Sequence, residues 1–157
     1  ELGLIGSTHF ADQPPMPLER IKAYLNFDMV GRLRENRLTL QGTGSSSEWK
    51  SFIEKWNIIS GFQLILQDDP YLPTDTTAFY PQGIPVLSFF TGSHEEYHRP
   101  ADDPDTLNWR GLLRISQFAA KAVKSLIDNE SPELTYTEVA PIQNGGQRGP
   151  NGRKMQP

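Results

Sequence analysis

IPVLSFF, residues 84–90, is a short apolar run set between Gly83 and Thr91. Apolar side chains at successive positions suit a strand covered on both faces, and such strands occur in sheets with helices on either side. Outward from this run the same architecture repeats. IKAYLNFDMVG (21–31) reads as a second buried strand, and the polar turn RLREN leads to a third, RLTLQG, from residue 37. FQLILQ (62–67) reads as a fourth. Between them, SSSEW opens a helix: Ser45 and Glu48 have capping-box spacing, and Trp49, Phe52, Ile53 and Trp56 fall on one face. DTTAFYPQG (75–83) predicts a short helix stopped by Pro81 and Gly83. Asn108 is placed to cap a long helix to about Ile127, with Leu112, Ile115, Ala119, Ala122, Val123 and Leu126 on its apolar face. Strands alternating with helices predict an α/β three-layer sandwich: a mostly parallel mixed sheet flanked by helices, with 37–41 as the candidate antiparallel member.

The 157 residues suit one domain with a substantial core. Fifteen basic and 19 acidic side chains leave a net charge of -4, and no basic cluster interleaves with aromatics, so no nucleic-acid partner is expected. The absence of cysteine excludes disulfides and thiolate metal sites. No apolar run approaches the roughly 20 residues of a membrane span. From Ser131 the composition turns to Gly, Pro, Asn and Gln, and the last 17 residues carry three basic side chains and no acid. Residues 131–157 therefore read as a linker or the truncated start of a further domain, following a folded unit over 1–130.

The pentapeptide HEEYH (94–98) spells H-E-x-x-H, which on a helix would mark a zinc protease. The flanking strand, Thr91-Gly92 and Pro100 argue against that helix. The position is informative all the same, because ligands of open α/β sheets bind at the carboxyl ends of strands. Asp28 lies at such an end, between Phe27 and Met29. Its carboxylate either accepts bonds from the turn at Gly31 and Arg32 or holds a metal. His98 reads either as a surface loop residue or as a ligand.

Four stretches, ELGLIGS (1–7), LNFDMVGR (25–32), YLPTDTTAFYPQGIPVLSFFTG (71–92) and EEYHRPADDPDTLN (95–108), resemble in content, order and spacing the co-catalytic di-zinc aminopeptidases. That family includes secreted bacterial leucyl aminopeptidases and, more distantly, glutamate carboxypeptidase and glutaminyl cyclase. The resemblance implies a zinc-exopeptidase-like fold, two zinc ions in the complete site, a peptide substrate with a free N-terminus, and a secreted or periplasmic setting. It places metal ligands at Glu1, Asp28 and His98, so one histidine of HEEYH is used and not two. It also makes Tyr71 and Tyr97 candidate stabilisers of the tetrahedral intermediate, with ordinary packing as the alternative for both. Thr74 and Asp75 become candidates for supporting the ligands from behind.

The family's first histidine ligand, its bridging aspartate and its general-base glutamate precede Glu1 in the pattern, and the 157 residues carry none of them. The chain therefore reads as the C-terminal part of a longer catalytic domain, inactive alone and completed by the missing N-terminal part or by a self-associating copy. A non-catalytic binding relative and a carboxypeptidase or glutaminyl cyclase are the alternatives. A carboxypeptidase would want a cationic clamp, for which Arg32, Arg34 and Arg99 are available.

Overall fold

The computed structural model describes residues 3–128 and 133–141. Its elements follow the order α1 (Ile5–Asp12), β1 (Tyr24–Asp28), β2 (Arg37–Gln41), α2 (Trp49–Ser60), β3 (Gln63–Gln67), α3 (Thr76–Phe79), β4 (Val86–Phe90) and α4 (Trp109–Ile127). The four strands form one mixed sheet in the order β1-β4-β2-β3. β1 runs parallel to β4 and β2 parallel to β3, while β2 and β4 are antiparallel. The antiparallel member expected at 37–41 is thus joined by β3, which runs with it. β1 is also shorter than the apolar run 21–31 suggests.

β4 is buried at four of its five positions, as IPVLSFF requires. Its Leu87 and Phe89 face a core built with Leu38 and Leu40 of β2, Trp49, Phe52, Ile53 and Trp56 of α2, and Ile115, Phe118, Ala119 and Ala122 of α4. On the other face, Val86 packs with Phe79, Tyr80 and Ile84, and Tyr24 stacks on Phe79 with ring centroids 4.0 Å apart. Three layers result: α2 and α4, the sheet, then α3 with α1 behind it. Val123, expected on the apolar face of α4, is instead 39% exposed on its outer side.

Asn108 caps α4 as expected, its side-chain oxygen accepting from the Gly111 amide at 2.8 Å. Gly111 is required there because Leu33 and the folded-back Asn108 side chain crowd the first turn. A Cβ would meet Leu33 Cβ at 2.7 Å and Asn108 Cγ at 2.9 Å. Gly111→Ala is therefore expected to lower stability by about 1–3 kcal/mol by overpacking, despite alanine's better helix propensity. Urea unfolding checks this.

The capping box at Ser45 does not form. The fully buried Ser45 hydroxyl accepts from the Trp49 indole at 3.1 Å and the Val86 amide at 2.9 Å, with the Gly42 and Val86 carbonyls in reach of its proton. It ties α2 to β4. The Glu48 carboxylate instead accepts from the Ser46 and Ser47 hydroxyls and from the Thr135 amide at 3.0 Å. Residues 133–141, in the stretch whose composition reads as linker, lie along the domain here. Tyr136 bridges Ser46, Tyr80 Oη donates to the Thr137 carbonyl and accepts from the Val139 amide, and Tyr71 Oη donates to the Val139 carbonyl.

The Ser46 hydroxyl, then the Thr135 amide and the Ser47 hydroxyl, hold the Glu48 carboxyl at about 2, below its ordinary 4.5. A lowered folded-state value means that this attachment is fully present above pH 4.5 and is lost as pH falls through about 2. Protection of the Thr135 amide from exchange is expected to be flat above pH 5 and to fall across that acid window, after correction for intrinsic exchange. Glu48→Gln should weaken that protection at neutral pH.

Candidate metal centre

The carboxyl ends of β1 and β4 position the residues of interest. Strand alternation sets Tyr24, Asn26 and Asp28 on one face of β1, opposite Val86, Ser88 and Phe90 of β4. Asn26 and Ser88 are buried and joined by a 3.0 Å hydrogen bond, and Tyr24 Oη reaches Asn26 Oδ1 at 3.4 Å. The row ends at Asp28, half-buried at the last residue of the strand, where Met29 turns the chain with a left-handed φ of 53°. A non-glycine residue in that region is strained, and such positions concentrate at functional sites.

The local alternative for Asp28 does not form. The Arg32 guanidinium pairs instead with Glu96 and Asp102, and neither the Gly31 nor the Arg32 amide donates to Asp28 among the described residues. Among the described residues no donor bonds the Asp28 carboxylate, which leaves its oxygens available to a ligand.

The loop leaving β4 carries the second candidate. Tyr97 donates its amide to the His94 carbonyl and Arg99 to the Glu96 carbonyl, so 94–99 is a succession of turns and not an α-helix. His98 has a φ of 55°, which also breaks any helix. The two histidines of HEEYH therefore do not share a helical face. His94 is packed in, with Nδ1 3.2 Å from Glu96 Oε2, whereas His98 is exposed and stacked on Tyr97 at 3.9 Å. No hydrogen bond holds the His98 ring among the described residues. Glu96's own amide, then His94 and Arg32, hold its carboxyl below the usual carboxylate range.

Of the supporting candidates, Asp75 sits at the head of α3, close enough to Tyr24 that its charge adds to burial in raising that phenol. The Thr74 hydroxyl lies 2.8 Å from that of Thr76. Tyr97 is 49% exposed beside His98. The Tyr71 hydroxyl is engaged by the Val139 carbonyl at 3.0 Å, so in this conformation it serves residues 133–141. Glu1 lies outside the described residues. A carboxylate oxygen and an imidazole nitrogen are donors a first-row divalent ion such as zinc takes. Among the described residues, however, no group of three or more His, Asp or Glu side chains is assembled to hold an ion. The donor types fit; the number of donors does not reach a full coordination set.

Phe79, Tyr80 and Phe89 are core residues and not an aromatic rim, being 5% exposed or less. Local sequence patterns do not reveal the Arg32 network or the attachment of residues 133–141 through Tyr71 and Tyr80. Arg32 in LNFDMVGR is a readable signal, but its partners lie 64 and 70 residues away.

A family model described as peptidase family M28 matches residues 1–123. The chain belongs to peptidase family M28. Relatives of this M28 chain include an aminopeptidase from Pseudomonas aeruginosa, 46% identical over 103 residues that cover 59% of the chain and 19% of the relative. Another is leucine aminopeptidase 2 from Trichophyton rubrum, 30% identical over 152 residues covering 78% of the chain and 31% of the relative. The M28 chain thus spans about a fifth to a third of the length of these curated relatives. Among solved structures, a zinc aminopeptidase from Bacillus subtilis is 25% identical with a TM-score of 0.66, over 80% of this chain and 33% of that one. An aminopeptidase from an Aneurinibacillus strain shares the fold with a TM-score of 0.65 at 21% identity, over 88% and 32%.

Proposed function

We propose that this M28 chain carries part of the active centre of a zinc-dependent aminopeptidase that removes N-terminal residues from peptides. The observation that carries the reading is the state of Asp28 and His98. The sequence resemblance makes both candidate ligands, Asp28 at the end of β1 and His98 in the loop leaving β4; both lack a hydrogen-bond partner among the described residues, and both lie at or beside a left-handed backbone.

In this reading Asp28 Oδ and a His98 ring nitrogen hold zinc together with Glu1, and the complete site takes two ions with further ligands from outside these 157 residues. Zinc, when bound, supplies a Lewis acid that polarises a carbonyl and lowers the pKa of water. The protein's part is to hold those donors in place. The buried Asn26–Ser88 bond lies on the same strand face as Asp28, and Tyr97 packs against the His98 ring. Tyr71 would have to leave the Val139 carbonyl before it could stabilise a tetrahedral intermediate.

The carboxypeptidase alternative is left with Arg99, which is exposed and has no side-chain partner among the described residues, because Arg32 is paired with two carboxylates and Arg34 donates to the Ser93 carbonyl at 2.6 Å. Neither is free to clamp a substrate carboxylate. The test is hydrolysis by the full-length, zinc-loaded protein of a leucyl anilide against its N-acetyl derivative and a peptide with a free C-terminus. Release from the free-amine substrate alone is expected. Equal cleavage of the acetylated compound, or release from the C-terminus, would sink the aminopeptidase reading.

A further inference from the structure

We propose that Arg32 is a positioning residue that buckles the loop carrying His98 onto the segment that follows Asp28 and β1. The inference rests on the reading of those two residues as metal ligands. The Arg32 side chain is only 12% exposed. Nη2 donates to Asp102 Oδ1 at 2.7 Å and Nη1 to Glu96 Oε2 at 3.3 Å. In sequence the two carboxylates bracket His98, one before it and one after, so a single guanidinium grips both ends of the turn that presents the imidazole. His94 reaches the same Glu96 oxygen through Nδ1.

Other bonds stitch the flanks. The Thr91 hydroxyl donates to the Met29 carbonyl, Arg34 to the Ser93 carbonyl, and the Asn108 amide to the Gly31 carbonyl. All of these lie outside residues 94–102. Inside that stretch, Arg32 supplies the link to the segment following β1 among the described contacts. The need for a link is physical: His98 is exposed, has a left-handed φ and belongs to no regular element, so the turn around it would relax if released. Arg32 Nε is buried without an acceptor among the described residues. The fold thus accepts a desolvation cost at that atom while the two Nη groups face their carboxylates. Lysine, a point charge, could meet one carboxylate but not both in this fixed fork.

The experiment uses the full-length protein with Arg32→Met and Arg32→Lys, and with Glu96→Gln and Asp102→Asn, which open the same pairs from their exposed side should Arg32→Met fail to fold. Two quantities are read: hydrogen exchange at the amides of Tyr97, Arg99 and Asp102, and zinc affinity by chelator competition. Expected are several-fold faster exchange at those three amides, unchanged exchange at Leu38 and Leu40 in β2, and about a tenfold loss of zinc affinity that lysine only partly restores. Unchanged exchange at the three amides in Arg32→Met and in both carboxylate variants overturns the buckle. Faster exchange with unaltered affinity overturns it as well. His98→Ala, measured alongside, separates the two readings: if it too leaves zinc affinity unchanged, the ligand assignment fails and carries the buckle with it. Strong dependence on His98 with none on Arg32 sinks the buckle alone.

Discussion

Replacing His98 with alanine is expected to lower the zinc affinity of the full-length protein roughly a hundredfold or more, because loss of even an outer partner of a metal ligand costs about 10–100-fold. Asp28→Asn should act in the same direction: the amide keeps the shape and one oxygen donor but removes the charge that stabilises a bound cation. Neither change should destabilise the fold, since both side chains lack hydrogen-bond partners among the described residues and His98 is exposed. Glu95→Gln gives the contrast. Under an H-E-x-x-H reading Glu95 would be the catalytic base, but it is exposed within a run of turns, and its replacement should leave both zinc affinity and turnover unchanged. Loss of zinc affinity in His94→Ala together with loss of turnover in Glu95→Gln would restore the H-E-x-x-H assignment of the loop.

The second large effect lies in the core. Phe118 is fully buried on α4 and is the ring on which the aromatic contacts converge. It meets Trp56 edge-on at 6.4 Å, Phe62 at 5.7 Å and Phe89 at 6.1 Å between centroids, joining α4 to α2, to the start of β3 and to β4. Phe118→Ala removes the buried ring and leaves a cavity that rigid neighbours on three sides cannot fill. A loss of about 3–5 kcal/mol is expected. Domains are stable by only about 5–15 kcal/mol, so the variant should unfold at markedly lower urea and at a temperature roughly 10 °C or more lower. Gln117→Ala, on the exposed side of the same helix, should shift the midpoint little. If Phe118→Ala also fell within that small range, the packing of α4 against the sheet would be wrong.

Much of this architecture is legible locally. A helix or strand declares its buried face through a period of a few residues, so Trp49, Phe52, Ile53 and Trp56, the apolar run of β4 and the Asn108 cap could be read without knowing their partners. Val123 shows the limit. Periodicity places it with the apolar stripe of α4, but the width of the covered stripe depends on what packs against it, and it is partly exposed. Ser45 and Glu48 show a different one. Their spacing suits a capping box, yet β4 offers Ser45 a buried amide to satisfy and residues 133–141 offer Glu48 another. A local motif yields when a distant group has a stronger claim on the same side chain.

The site divides along the same line. The residue order by itself put Asp28 at the end of one strand and His98 in the loop after another, placed the chain in an α/β fold, and carried the motifs whose family resemblance made both residues candidate ligands. Only the tertiary structure decided that Asp28 is unpartnered among the described residues, that HEEYH is a string of turns, that Arg32 pairs with carboxylates 64 and 70 residues away, and that Glu48 and Tyr71 hold residues 87 and 68 positions away. The physical reason is that burial on one face is a sum of local preferences, whereas each of these pairings is a choice among many possible partners that chain folding brings into reach.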